Sequence, residues 1–319
     1  MKQDKRRATM LDINHILVVL DQEHSEHIAL DKAIWLASTV NADLTLMTSV
    51  YDPHGDNQGS LERDTKELIH KSKVERTEEW LKDLAEKSVA AGVTAHCKVS
   101  WAKHLYDAVM VIMHHDDFDL VIKGTHEHHL VDRIFTHTDW NMIRHCPAPV
   151  MLVKQPDAWK HNRVLASIDA TTMDPRHQVI NDNILAFAEH LSDHFETDLH
   201  LVNAYPDVDV AFAMVPEINA PDEVQKHIST QHHDACSHIA NKYKVQENHV
   251  HIMEGDTTDV VPEIVEAIQA DLLVVGTVGR DGLSGVIVGN TSEELVDKIN
   301  CDVVVLKPTD GVAMEDHDE

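Results

Sequence analysis

The chain has 319 residues, enough for two ordinary domains with their own cores, and its 55 acidic against 27 basic residues give a formal charge of −28 at pH 7. So acidic a chain argues against nucleic acid or an anionic membrane as partner, because both draw on clustered Lys and Arg. No run approaches the ~20 apolar residues of a membrane span, and the basic start Lys2–Arg7 leads into a mixed segment rather than the apolar centre of a leader, so a cytoplasmic protein without membrane insertion is expected.

The first predicted element is the strand Ile13–Leu20, ending at Asp21. A helix follows, with Leu30, Ala33, Ile34 and Ala37 at the i, i+3, i+4, i+7 spacing of one buried face. Next come a strand in Ala42-Asp-Leu-Thr-Leu-Met47, a longer polar helix over about 62–91, a third helix over about 103–116, and the strands Asp119–Gly124 and Pro149–Lys154. The polar join Gln155–Asn162 carries Pro156 as a stop signal.

The same series then repeats. Arg163–Asp169 matches the first strand, aspartate included; Ile184, Phe187, Ala188 and Leu191 match the first helix face; Thr197-Asp-Leu-His-Leu-Val matches the second strand. Helices fit about 221–243 and about 258–269, and Asp271–Gly276 and Asp302–Lys307 close the series. Gly124 and Gly276 lie 152 residues apart and Lys154 and Lys307 lie 153 apart, a near-constant offset that marks an internal repeat. Near-continuous Val/Ile/Leu strands alternating with helices predict doubly wound α/β units with parallel sheets, one over 1–155 and one over 160–319. Ligands of such sheets bind outside the strands' carboxyl ends, where strand order switches, and both Asp169 and Gly276 belong there.

Gly276-Thr277-Val-Gly279-Arg280, followed by Gly289-Asn290-Thr291-Ser292, is the segment that carries chemistry. Glycines let backbone N–H groups approach a phosphate, and Asn290–Glu294 reads as a capped helix start whose free amides attract an anion. The histidines are abundant, 26 in all, with clusters at His114-His115, His126-Glu-His128-His129, His232-His233 and His249-Val-His251. None sits in an HExxH or Cys-His framework, so a solvated histidine surface and no metal site are expected. Cys97, Cys146, Cys236 and Cys301 lack CxxC spacing and are expected to be reduced and buried.

The repeat together with Gly-x2-Gly-x9-Gly resembles the universal stress protein family in its tandem two-domain form, over nearly the whole chain. The resemblance implies two adenine-nucleotide α-hydrolase-like domains with mostly parallel five-stranded sheets. Gly276, Gly279 and Gly289 match the family fingerprint, with Asn290 where a hydroxyl residue is usual and Thr291 and Ser292 supplying hydroxyls beside it. It further implies that Asp169 holds the adenosine moiety and that a base contact falls at about Ala204; Arg280 is placed to approach the phosphates. In the first half Gly279, Gly289 and Asn290 map onto Glu127, His137 and Thr138, so a degenerate partner without nucleotide is expected there, although Asp21 persists. Family members pair through their last strand, so Val150–Lys154 and Val303–Lys307 are expected to join in an intramolecular pseudo-dimer, with a homodimer as the alternative.

The function expected is a stress-response regulator or sensor that binds ATP, with or without Mg2+, in its second half. The alternative is a carrier or sensor of an elongated, lipid-like small molecule, suggested by the apolar Val208, Val210, Phe212, Met214, Val215 and Ile218. No Gly-x4-Gly-Lys-Ser/Thr loop, nucleophile elbow or telling carboxylate pair is present. No catalytic residue is assigned, and the family resemblance implies at most slow ATP hydrolysis or autophosphorylation.

Overall fold

The computed structural model describes residues 12–24, 26–52, 63–125, 136–207, 221–277 and 290–308. The first half runs β1 (His15–Val19), α1 (Ile28–Val40), β2 (Asp43–Val50), α2 (Arg63–Ala90), β3 (Ala95–Trp101), α3 (Leu105–His115), β4 (Leu120–Gly124), α4 (His137–His145) and β5 (Val150–Val153). The second repeats it as β6 (Arg163–Ser167), α5 (Pro175–Phe195), β7 (Asp198–Tyr205), α6 (Pro221–Lys242), β8 (Val250–Glu254), α7 (Thr257–Ala267), β9 (Leu272–Gly276), α8 (Asn290–Lys298) and β10 (Asp302–Leu306), with a 3-10 turn, Glu247–His249, before β8.

All ten strands form one sheet in the order β3-β2-β1-β4-β5-β10-β9-β6-β7-β8. Every neighbouring pair is parallel except β5 and β10, which run antiparallel with Met151 opposite Val304. The chain is therefore two five-stranded parallel units related by a pseudo-two-fold axis. The central pairing occupies two edges that would otherwise be open to other chains.

Alternation along each strand sends side chains to two apolar layers. Ile16, Val18, Leu44 and Leu46 pack with α1 in one layer, and Leu17, Val19 and Met47 face Val109 and Ile112 of α3 in the other. On α1 the buried stripe is Leu30, Ala33, Leu36 and Ala37; Ile34, expected inside, is half-buried. In the second half Ile184, Phe187, Ala188 and Leu191 are buried as the spacing predicts. Asp119 and Asp271, at matching places in the repeat, each turn a carboxylate onto the opening amides of the neighbouring strand, Asn14 and His15 in one half, His161 and Arg163 in the other. All four cysteines are free; Cys97 is half-buried, the others buried.

The join between the halves is polar beneath its apolar sheet. Asp302 is fully buried and receives Lys32 Nζ at 2.8 Å, the Lys154 N–H at 2.8 Å, the Gln155 N–H at 3.1 Å and Trp159 Nε1 at 3.3 Å. The lysines after the central strands act reciprocally. Lys154 donates to the carbonyls of Val296 and Ile299 at the end of α8, and Lys307 donates to those of Met142 and Cys146 at the end of α4. Each cation thus serves the negative end of the other half's last helix.

Candidate functional site at the strand ends of the second half

The second unit's strand order reverses between β6 and β9, and those predicted residues that are described gather around that switch point. Asp169 follows β6, Ala204 lies near the end of β7, and Gly276 and Thr277 close β9. Asn181 of α5 clamps the Asp169 backbone from both sides, donating to its carbonyl at 2.7 Å and accepting from its N–H at 3.2 Å. The exposed Asp169 carboxylate has no hydrogen bond or ion pair among the described residues, so it is free to accept from a ligand hydroxyl or amino group. Thr277 is buried and donates its N–H to the Leu306 carbonyl at 2.8 Å.

Gly279, Arg280, Gly289 and the apolar segment 208–218 lie outside the described residues, as does Glu127. Asn290 and Thr291 open α8, placing the helix's positive end beside the β9 terminus. Ser292 donates its hydroxyl hydrogen to the Gly276 carbonyl at 3.0 Å and so ties the first turn of α8 to the strand. Glu293 in the same turn is paired with Arg144 of α4, Nη2 at 2.5 Å and Nε at 2.8 Å, which offsets its repulsion of an anion.

Gly276 has a packing requirement of its own. A Cβ there would stand 2.3 Å from Ile180 Cγ1 and 2.9 Å from Ile184 Cδ1, both on α5. At Gly124 the same added atom would meet Ile28 Cγ1 of α1 at 2.9 Å. Close approach of helix to strand therefore explains why this glycine recurs in both halves even where the rest of the loop differs.

The first half fills the equivalent space with charge. α4 and α8 begin at His137 and Asn290, an offset of 153, so Gly289 corresponds to Thr136 and not to His137, and Ser292 corresponds to Asp139. Thr136 and Asp139 form a capping box, and the buried Asp139 takes Lys123 Nζ at 2.7 Å. A carboxylate at the helix start already occupies amides that a phosphate would use. Asp21 is likewise engaged, accepting from the Glu23 N–H at 3.0 Å and lying 3.7 Å from His24 Nδ1.

Two side chains that sequence reasoning missed sit directly behind Asp169. Asn203 Oδ1 receives the Ala170 N–H at 3.3 Å, His232 Nδ1 at 3.1 Å and Cys236 Sγ at 3.4 Å, while its Nδ2 donates to the Ala204 carbonyl at 2.6 Å. Those donors make Nδ1 the protonated nitrogen of His232 and leave Nε2 to accept from Thr171 Oγ1 at 3.2 Å. His232, Cys236 and Ala240, spaced i, i+4, i+8, share the buried face of α6, and that spacing was the available signal. Burial lowers the His232 imidazole below its usual 6.5, with the Asp169 charge partly offsetting this. The unfolded chain then binds the proton first as pH falls, so stability present above about pH 6.5 is lost below it. The thermal midpoint should drop between about pH 7 and about pH 5, and His232→Gln should remove part of the drop; an unchanged profile in that variant would refute the neutral buried imidazole.

The expectation of a purely solvated histidine surface is corrected here, because His200 and His232 are only 6% and 7% exposed. Burial, with His249 and His251 adding to it, pushes the His200 imidazole down to about 4. His200 came from the core-facing alternation of β7, which the clustered pairs in the sequence did not reveal.

An open doubly wound sheet duplicated about its last strands, with a free aspartate and a glycine at the switch point of one half, defines the class of protein. The sequence profile of the universal stress protein family matches residues 12–154 and 180–307, and the chain belongs to that family. It is 30% identical over 297 residues to universal stress protein E of Escherichia coli K12, covering 92% of this chain and 94% of that protein. Against universal stress protein E of Salmonella typhi it is 29% identical over 311 residues, 96% and 98% of the two chains. Among solved structures, the functionally unknown protein PA1789 of Pseudomonas aeruginosa PAO1 superposes with a TM-score of 0.74 at 25% identity over 95% of each chain. A universal stress protein of Archaeoglobus fulgidus shares the fold at a TM-score of 0.66 and 18% identity, covering 93% of this chain and 99% of that one. Among the described residues no helix is long and apolar enough to cross a membrane.

Proposed function

We propose that the protein is a cytoplasmic stress-response regulator or sensor whose second half binds one adenine nucleotide, ATP with or without Mg2+, across the carboxyl ends of β6, β7 and β9. Asp169 accepts from the ribose hydroxyls, and the backbone at Ala204 faces the base. The loop from Gly276 and Thr277 through Gly279 and Arg280 to Gly289, together with Asn290 and Thr291, receives the phosphates, while Ser292 holds the helix start in place.

The observation that carries this reading is the contrast between the two aspartates at equivalent strand ends. Asp21 is satisfied by its own loop, whereas the Asp169 carboxylate is exposed and unengaged among the described residues. Calorimetric titration with ATP tests it. Asp169→Ala should weaken binding by about tenfold or more, ~1.4 kcal/mol, and Asp21→Ala should leave it unchanged. Equal effects of the two substitutions would remove the second-half site. A lipid-like molecule retained by the chain, with no response to ATP, would move the function to the apolar segment 208–218.

A further inference from the structure

At the amino end of β7, far along the strand from Asp169, a different set of side chains converges. Asp198 and His200 open the strand, and His249 closes the 3-10 turn before β8. Each offers one donor atom, and the three atoms lie within 4.8 Å of one another. The His200 and His249 rings stack at 4.0 Å between centroids, and His251 follows on β8 with its Nε2 3.1 Å from His200 Nδ1.

His200 is the anomaly. Its Nε2 is buried and has no hydrogen bond, a state that costs about 1–3 kcal/mol when nothing compensates it. If Nδ1 donates to His251 Nε2, the buried Nε2 is a bare lone pair; the reverse tautomer would bury an unpaired N–H instead. A histidine whose one nitrogen is held by a hydrogen bond while the other presents a lone pair to neighbouring His and Asp groups has the arrangement of a metal ligand with its outer partner in place.

We propose that Asp198, His200 and His249 form a binding site for a divalent transition ion of the zinc class, with His251 orienting His200. Two imidazoles and a carboxylate suit Zn2+ and disfavour Ca2+ and Mg2+, which take oxygen ligands, and they leave a fourth coordination position open. A tetrahedral ion needs its donor atoms ~3.3 Å apart. The closure falls to Asp198 and His249, which are exposed and half-buried and can rotate, while His200 is fixed by packing. Arg163 is the opposing charge at this site; its Nη1 is held by the Ile268 carbonyl at 2.5 Å, and Asp198 offsets it.

The first half supplies an internal comparison. Leu46 pairs with Cys97 in β2–β3 as Leu201 pairs with Val250 in β7–β8, so Asp43, Thr45 and His96 stand where Asp198, His200 and His249 do. Thr45 in place of the buried histidine leaves that half without the central ligand, so among the described residues the proposed site occurs once.

The test is a Zn2+ titration of the full-length, chelator-stripped protein without nucleotide, against a chromophoric competitor. Wild-type protein should take up Zn2+ at one site and rise in thermal midpoint. His249→Ala and Asp198→Asn, both at solvent-accessible positions, should each weaken that site about 10- to 100-fold, and His115→Ala, an exposed histidine elsewhere, should leave it intact. Absence of Zn2+ uptake, or uptake equal in wild type and both site variants, would overturn the proposal.

Discussion

Replacing Asp302 with alanine is expected to destabilise the protein by about 3–5 kcal/mol, read from urea unfolding of the ligand-free chain. The carboxylate and the Lys32 ammonium it faces at 2.8 Å both have no exposed side-chain surface. Removing one partner leaves a cation in the core, and the substitution also strips acceptors from the Lys154 and Gln155 amides and from Trp159 Nε1. Lys32 retains the Asp157 carbonyl and the face of the Trp35 ring at 5.5 Å, too little to hold an uncompensated charge. Replacing both members of the pair by apolar residues, Lys32→Met with Asp302→Leu, should be less damaging than Asp302→Ala alone, since no charge is then left buried. A single variant within about 0.5 kcal/mol of wild type would contradict the role of Asp302 in joining the halves.

The second large effect is at the end of β9. Gly276→Ala should destabilise the nucleotide-free protein by about 1–3 kcal/mol, because its Cβ would stand 2.3 Å from Ile180 Cγ1 and 2.9 Å from Ile184 Cδ1. Gly124→Ala, with one contact at 2.9 Å, should cost less, and Ile180→Ala should partly rescue Gly276→Ala by making room. The urea midpoint without ligand decides the matter. A Gly276→Ala protein as stable as wild type would show that the glycine serves only a ligand and that α5 adapts to the added atom.

That pair of glycines shows where sequence reasoning reached and where it stopped. The repeat, the first and fourth strands of each unit and the gathering of Asp169 and Gly276 at one switch point were legible, because buried parallel strands are written as apolar runs at a near-constant offset. The outer strands β3 and β8 were not, since as edge strands they keep few fully buried side chains and read as mixed sequence. A glycine at a strand end looks the same whether a phosphate or an isoleucine needs the space. Asp302 was hidden by the repeat comparison itself, which paired it with Pro149, because the buried ion pair breaks the pseudo-symmetry. Lys32 lies on the inner face of α1 only because that carboxylate is there to receive it. His232 was misread and His200 passed over, because a histidine in the sequence looks solvated until helical spacing or strand alternation turns it inward.

Native mass spectrometry of the intact chain with ATP, compared with Gly279→Glu, decides whether the second half holds a nucleotide. That substitution gives the second half the glutamate that the first half carries at the corresponding loop position, Glu127. A single ATP on the wild-type chain and none on the variant is the expected result, with both chains equally folded. ATP retained by Gly279→Glu, or absent from wild type, would contradict a nucleotide site built on the 276–292 loop.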